Sequence, residues 1–363
     1  MSLSVVAMWF IPAPKQLASD HGVAVRAKVL SVDNSTVQML GLLRYGSQHL
    51  TVEILEGAAK GRTYHAVNEI RAQMDLDKDF HPGDTAVVVL QSGDAEQDSA
   101  ALVARDQYRM GWGWILFGGF CVLLCVFGGW VGAKALFSFL YSCIVIWKAV
   151  IPLALHGWPV SWTVFAAVCW LTAVIMYLVA GLSRKGVSAF LGASVGVLAG
   201  LGLAHTFGRL MKINGATMPY VQSLLYSGFE SLNLQDVFIG AMVLASSGAV
   251  MDLAMDIASG IDEVARHNPE LSGRELCLSG LRIGRSVVGT MTTTLLLAYS
   301  GGYITLLMVF CTQGTRPLDF LNNALVASEV VKTLIGSFSL IFVAPSTALI
   351  AAWIFSMRKN SVR

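Results

Sequence analysis

Residues 112–131 read WGWILFGGFCVLLCVFGGWV, twenty residues without a charged side chain. At 1.5 Å per residue a helix of that length covers about 30 Å, the thickness of a bilayer's hydrocarbon core. The neighbouring sequence is of the same kind. Between Asp106 and Glu230 there is no Asp or Glu, and the basic residues are few and scattered. Over all 363 residues, 55% are hydrophobic and 13% are charged, whereas soluble domains average about 25% charged. A soluble core has no use for so long an apolar run. Further apolar stretches occupy 135–155, 161–182, 187–208, 236–258, 287–309 and 334–357. Together they predict a membrane α-helical bundle of about seven transmembrane helices over residues 111–357, followed by a short tail at 358–363.

The sequence upstream has a different rhythm. Gly22–Leu30 and Gln48–Leu55 alternate apolar and polar residues, as half-buried strands do, and Val37–Leu43 is a weaker candidate. Turn residues separate them at Asp33-Asn34-Ser35, Tyr45-Gly46-Ser47 and Gly57–Gly61. Pro82-Gly83-Asp84 introduces a strong strand at Thr85–Leu90, and the polar residues 92–104 read as a loop. Four to six short strands at this spacing predict a small β-barrel of the OB or SH3 type over residues 22–110. Before it, Val5–Pro12 is too short to span a bilayer. Residues 1–21 read either as a first strand or frayed terminus, or as the remnant of a membrane anchor.

A net charge of +2 gives no basis for nucleic-acid binding. Its distribution bears on orientation. Loops and tail on the side of Arg184-Lys185 hold ten Lys or Arg, against five on the other side counting Lys148 within the second stretch. The positive-inside rule puts the richer side in the cytoplasm, the β-rich domain outside and the C-terminus inside a cell membrane. The six cysteines all lie beyond the barrel and lack zinc spacing, so neither a metal nor any other cofactor is expected.

The stretch at 236–258 carries the clearest chemistry. Asp252 and Asp256 are four residues apart and share one helical face. A carboxylate at the bilayer centre costs about 2.5–3.5 kcal/mol on insertion scales, so such residues usually face the bundle interior or a hydrated cavity. There they would suit binding of H⁺ or Na⁺. The plainer reading leaves both near the interface, hydrogen-bonded to neighbours. The next stretch offers Thr290, Thr293 and Thr294, then Tyr299-Ser300-Gly301-Gly302. Those hydroxyls could bond the aspartates or help hold sodium, although Ser and Thr also serve as plain interhelical glue. Ser246-Ser247-Gly248 and Ser300-Gly301-Gly302 could each loosen a helix in mid-membrane, as in secondary transporters. Gly192, Gly196 and Gly200 form a close-packing face at four-residue spacing, and His205 reads as a hydrogen-bonded interface residue. The segment from Asp262 to Arg285 reads as the longest cytoplasmic loop, with Leu276–Ile283 able to lie along the membrane surface.

Enzyme readings fare poorly. Ala245-Ser246-Ser247-Gly248 is superficially like an intramembrane serine protease, but no later helix supplies the histidine. An intramembrane aspartyl protease needs its aspartates on different helices, and Asp252 and Asp256 share one.

The chain resembles the YibE/F family of bacterial multipass membrane proteins. The likeness is strongest in Gly248–Asp252, Ile257–Gly260, Ser279-Gly280 through Arg285, Gly289–Met291, Leu296–Tyr299 and Gly301. The barrel adds Gly57–Gly61, Pro82-Gly83-Asp84 and Asp106–Arg109. The resemblance implies an outward-facing head followed by a helical bundle, in a family usually described as permease-like. Ser286 stands where the family commonly has an acidic residue and Thr293 where it has asparagine. A glutamate common near Ala324 or Leu325 is missing, although Glu329 follows. The expectation is therefore a non-enzymatic multipass transport protein for a small solute. Coupling to H⁺ or Na⁺ would run through Asp252 and Asp256, with Thr290, Thr293, Thr294 and Tyr299 assisting, and the chain could form a homo-oligomer. The alternative is a non-transporting scaffold or regulator that recruits a partner through its head.

Overall fold

A computed structural model describes residues 22–74, 76–90 and 102–361. The segment 1–21, with its anchor reading, lies outside the described residues, as does most of the expected loop at 92–104. Two compact units meet between Leu123 and Leu124.

The first unit is built on six strands: β1 Val23–Asp33, β2 Gln38–Leu40, β3 Leu43–Ile54, β4 Thr63–Arg71, β5 Thr85–Leu90 and β6 Leu102–Gln107. Their order is β1-β5-β6-β4-β3-β2, and β1 also pairs with β3. That second pairing closes five strands into a barrel, leaving β2 as a short flap on β3. The parallel β4–β6 pair and the otherwise antiparallel ladder give the OB-type topology. Strand alternation does what the sequence predicts on β1, where Val25, Ala27 and Val29 point inward, and β4 follows the same rhythm with Tyr64, Ala66, Asn68 and Ile70. Apart from Asn68 and Ile70, they join Leu50, Val52, Phe80 and Val88 in one core. Four segments differ from expectation. Tyr45-Gly46-Ser47 runs inside β3 rather than in a turn, and Thr63–Arg71 is a strand where none was singled out. Leu102–Gln107 is a strand rather than loop, because Leu102 and Ala104 enter the core while Arg105 and Asp106 give it a polar look. Val37–Leu43 is broken by a turn at Gly41, whose φ of 63° suits glycine.

A buried polar knot fixes the long segment between β4 and β5. Gln48 and Asn68 are both buried. Asn68 Nδ2 donates to Gln48 Oε1 at 2.8 Å and to Lys78 O at 2.7 Å, while Gln48 Nε2 donates to Asp79 Oδ1 at 2.9 Å. With these bonds made, two buried amides carry little desolvation penalty.

The second unit is helical. Its elements, with the start of the first belonging to the other unit, are α1 Met110–Leu155, α2 Val160–Ala180, α3 Arg184–Leu210, α4 Val221–Tyr226, α5 Leu234–His267, α6 Gly273–Gly301, α7 Ile304–Thr312, α8 Pro317–Asn322 and α9 Ala324–Ser361. Five of these are long and apolar enough to cross a membrane; the bent pair α6–α7 makes a sixth if it counts as one span. The expected bundle of about seven spans agrees to within one or two helices. The difference arises in the first two stretches, which run together as α1. At 46 residues α1 would reach about 69 Å if straight, more than one bilayer crossing. Gly129, at φ 51° and ψ −129°, breaks it internally.

Helix α5 is the hub. Val250, Leu253, Ala254, Ile257, Ala258 and Ile261 make a fully buried stripe at the 3- and 4-residue spacing of a packed helix face. Gly192, Gly196 and Gly200 on α3 press against Thr347, Val343 and Ser339 of α9, where an added Cβ would collide. Gly280 and Gly284 on α6 abut Ala348 and Ala344 of α9 in the same way. Small residues let helix backbones approach closely enough for dispersion to act. The long loop expected at 262–285 is largely helix. Asp262 and Arg266 pair at 2.8 Å in the last turns of α5, and Ser272 with Glu275 forms a capping box that starts α6.

Candidate functional site

The polar residues of the bundle fall into three groups. The first is the expected one. Asp252 and Asp256 occupy an exposed face of α5 together with Ala241, Ala245 and Gly248. They do not face the interior. The buried stripe is set by Val250, Leu253, Ala254 and Ile257, and at 100° per residue the two aspartates fall on the other side. Contacts of Gly280 with Ile261 and Gly284 with Ile257 give the antiparallel register of α6 on α5. Extended, that register sets Thr290 near the level of Asp252 and Ser286 near that of Asp256. The threonine hydroxyls do not reach the carboxylates. Those of Thr290, Thr293 and Thr294 donate to Val287 O, Gly289 O and Thr290 O at 2.9, 3.2 and 3.0 Å. They satisfy their own helix.

The two small-residue stretches, both expected to loosen a helix, behave differently. Helix α5 passes unbroken through Ser246-Ser247-Gly248, with the two serine hydroxyls donating back to Met242 O and Leu244 O. The chain does break after Ser300-Gly301-Gly302, where α6 and α7 meet at 68°.

The second group lies beside that break. Glu329 and Lys332, one turn apart on α9, form an ion pair at 2.5 Å with side chains only 13% and 18% exposed. Tyr303 and Glu329 line the same cavity. Lys332 Nζ sits 5.3 Å from the Phe238 ring and 5.7 Å from that of Tyr303, within cation–π range. A mostly apolar cavity of about 230 Å³ opens between α6, α7 and α9, lined by Leu296, Tyr299, Tyr303, Glu329 and Val330 among others. The Tyr299 hydroxyl is buried without a hydrogen-bond partner. Of the residues singled out from the sequence, Tyr299 and Ser300 join this group.

The third group is at the start of α5. Asp236 Oδ2 accepts from the backbone N–H of Ser161 at 3.2 Å. His205 Nε2 lies 3.8 Å from Asp236 Oδ1, beyond hydrogen-bond length but close enough for an ion pair when the imidazole is protonated. Both line a cavity of about 590 Å³ with Trp158, Trp162 and Phe229. Among the described residues, no group of three His, Cys, Asp or Glu could hold a metal ion.

Sequence reasoning missed Glu329, Lys332, Tyr303 and Asp236 as site residues. A signal existed for the ion pair: opposite charges at i and i+3 just ahead of an apolar run. It was hidden because the last span was read as starting at 334, ten residues after α9 begins.

Apolar helices of spanning length, small-residue seams and half-buried charges in the helix walls together define a multipass membrane protein. The YibE/F-like protein family matches residues 116–357, and the YibE/F family N-terminal domain matches residues 25–103. The chain belongs to the YibE/F family. No curated protein and no solved structure matches it.

Proposed function

We propose that the protein is a permease-like membrane transporter for a small solute, coupled to H⁺ or Na⁺, with the barrel outside and the C-terminus in the cytoplasm. The observation that carries this reading is the Glu329–Lys332 pair. Two charges 13% and 18% exposed inside a spanning helix are poor stabilisers, since apolar residues of similar volume usually do as well or better. Ionisable residues in membrane segments are functional by default. Beside the pair lie an apolar cavity, a Tyr299 hydroxyl with no partner and a bend in the chain. These are the parts that a solute or ion site needs, and none is required to hold the fold. The coupling role moves from Asp252 and Asp256 to Glu329, because the aspartates are not enclosed by their own chain. A homo-oligomer that laid a second copy on the open face of α5 would enclose them and restore their claim.

The reading is non-enzymatic. Its test is voltage-driven flux into proteoliposomes, followed with a lumenal pH dye and with ²²Na⁺. Wild-type vesicles should exceed protein-free vesicles for at least one ion, and Glu329→Gln should remove the excess. Equal flux in wild-type and empty vesicles would sink ion coupling. The scaffold alternative draws on the self-contained barrel. Under that reading, deleting residues 1–110 abolishes function outright, whereas a transporter core keeps ion-dependent flux.

A further inference from the structure

The β2–β3 hairpin ends in Met39-Leu40-Gly41-Leu42-Leu43, and the side chains at this tip are not covered by the barrel. Leu42 is 89% exposed, and Met39, Leu40 and the nearby Met74 each exceed 70%. Met74 lines one groove with Leu42 and Leu43, and Leu76, two residues on, is exposed as well. Four exposed large aliphatic side chains in five residues form a patch of the kind that marks an interaction site. At the opposite end of the barrel, the Gly57–Arg62 turn has no exposed large apolar residue.

Strand register fixes where the tip points. Tyr45 pairs with Arg71, and the parallel pairing of Ala66 with Leu102 brings Arg71 level with Gln107, the last residue of β6. A hydrogen bond from Gln107 Nε2 to Asp79 O at 2.8 Å and an ion pair between Arg44 and Asp79 tie the two together. The hairpin therefore leaves the barrel at the end from which the chain runs into α1. From Tyr45 to Leu42 it extends about 10 Å further, at 3.3 Å per residue. From Gln107 the chain needs only two more residues to reach Met110, where α1 begins, with Trp112 and Trp114 exposed in its first turns. Tryptophans gather at the membrane–water interface.

We propose that the β2–β3 tip is a bilayer-seated wedge: Met39, Leu40, Leu42 and Leu43, with Met74 and Leu76 beside them, rest in the interfacial layer of the membrane that α1 enters. The barrel is then held to the membrane at two points, the α1 junction and the hairpin. The rim of the patch mixes Lys78 with Asp77, so attachment depends on apolar side chains and not on anionic lipid.

The test places a photoreactive residue, Leu42→p-benzoylphenylalanine, in the full chain reconstituted into neutral phosphatidylcholine vesicles, with Lys60→p-benzoylphenylalanine at the far end as control. Leu42 contacts solvent on almost all sides, so the analogue fits without disturbing the fold. Irradiation should give phosphatidylcholine adducts at position 42 at least tenfold above those at 60. A cross-linked dimer at 42, an adduct to another part of the chain, or equal lipid labelling at both positions would each overturn the proposal. Met39→p-benzoylphenylalanine repeats the test on the neighbouring strand and should behave as 42 does.

Discussion

Helix α5 handles its acids differently at its start and in its second half. Asp236, near the start, is 14% exposed, accepts a backbone N–H from Ser161 and faces His205. Asp252 and Asp256, about four and a half and five and a half turns on, are exposed, and among the described residues neither has a hydrogen bond or ion pair. Sixteen residues at 100° each rotate the helix by about 160°, so Asp236 and Asp252 look out of nearly opposite sides. The same residue type in the same helix is a packed, partnered group in one place and an open one in the other. What decides is the phase against the buried stripe Val250–Ile261, not the residue's depth along the span.

The sharpest test of that contrast is to break a partnered charge. Lys332→Met leaves Glu329 without its counter-ion in a covered site. Removing one partner of such a pair costs about 3–5 kcal/mol, so the detergent-solubilised chain should melt well below wild type, and Glu329→Gln added to it should recover most of the loss. Next, Asp236→Ala strands the Ser161 N–H and should cost about 1–3 kcal/mol, read as a lower melting temperature. Asp252→Asn with Asp256→Asn should change stability by less than about 0.5 kcal/mol, as exposed substitutions do. A double mutant that unfolds the chain would mean that the open face is covered after all, and would favour the oligomer.

The smallest effect belongs to the barrel and is set by pH. Glu56 accepts from the backbone N–H of Arg26 and then from its guanidinium, both at 2.9 Å, which holds its carboxyl below the usual range. The Ser35 N–H, and after it the Ser35 hydroxyl, do the same for Asp33. Because the folded values lie below the unfolded ones near 4, their contribution is complete above about pH 4 and fades as pH falls through the folded values. The barrel's calorimetric unfolding transition in the full chain should hold its temperature from pH 7 to about 5 and fall below that. Glu56→Gln should flatten the fall.

The same contrast explains what the sequence made legible. Charge depletion fixed the membrane class, because no soluble core tolerates residues 107–229 without an acid. Alternation exposed β1 and most of β3, and Pro82-Gly83-Asp84 marked β5, while β6 was lost because only Leu102 and Ala104 alternate before Arg105-Asp106 intervenes. The aspartates were recognisable as chemistry, yet their direction was not: small residues at 241, 245 and 248 look the same whether they face lipid or a neighbour. Glu329 and Lys332 were passed over because the first turns of α9 are too polar to read as span. Their burial comes from α5, α6 and α7, brought together by contacts far apart in sequence.

The account turns on which acid carries charge across the membrane. Proton and ²²Na⁺ flux should be measured side by side in proteoliposomes of wild type, Glu329→Gln and the Asp252→Asn/Asp256→Asn pair. The prediction is that Glu329→Gln falls to the level of empty vesicles while the double aspartate variant keeps wild-type flux. Full flux in Glu329→Gln with none in the aspartate variant would contradict it.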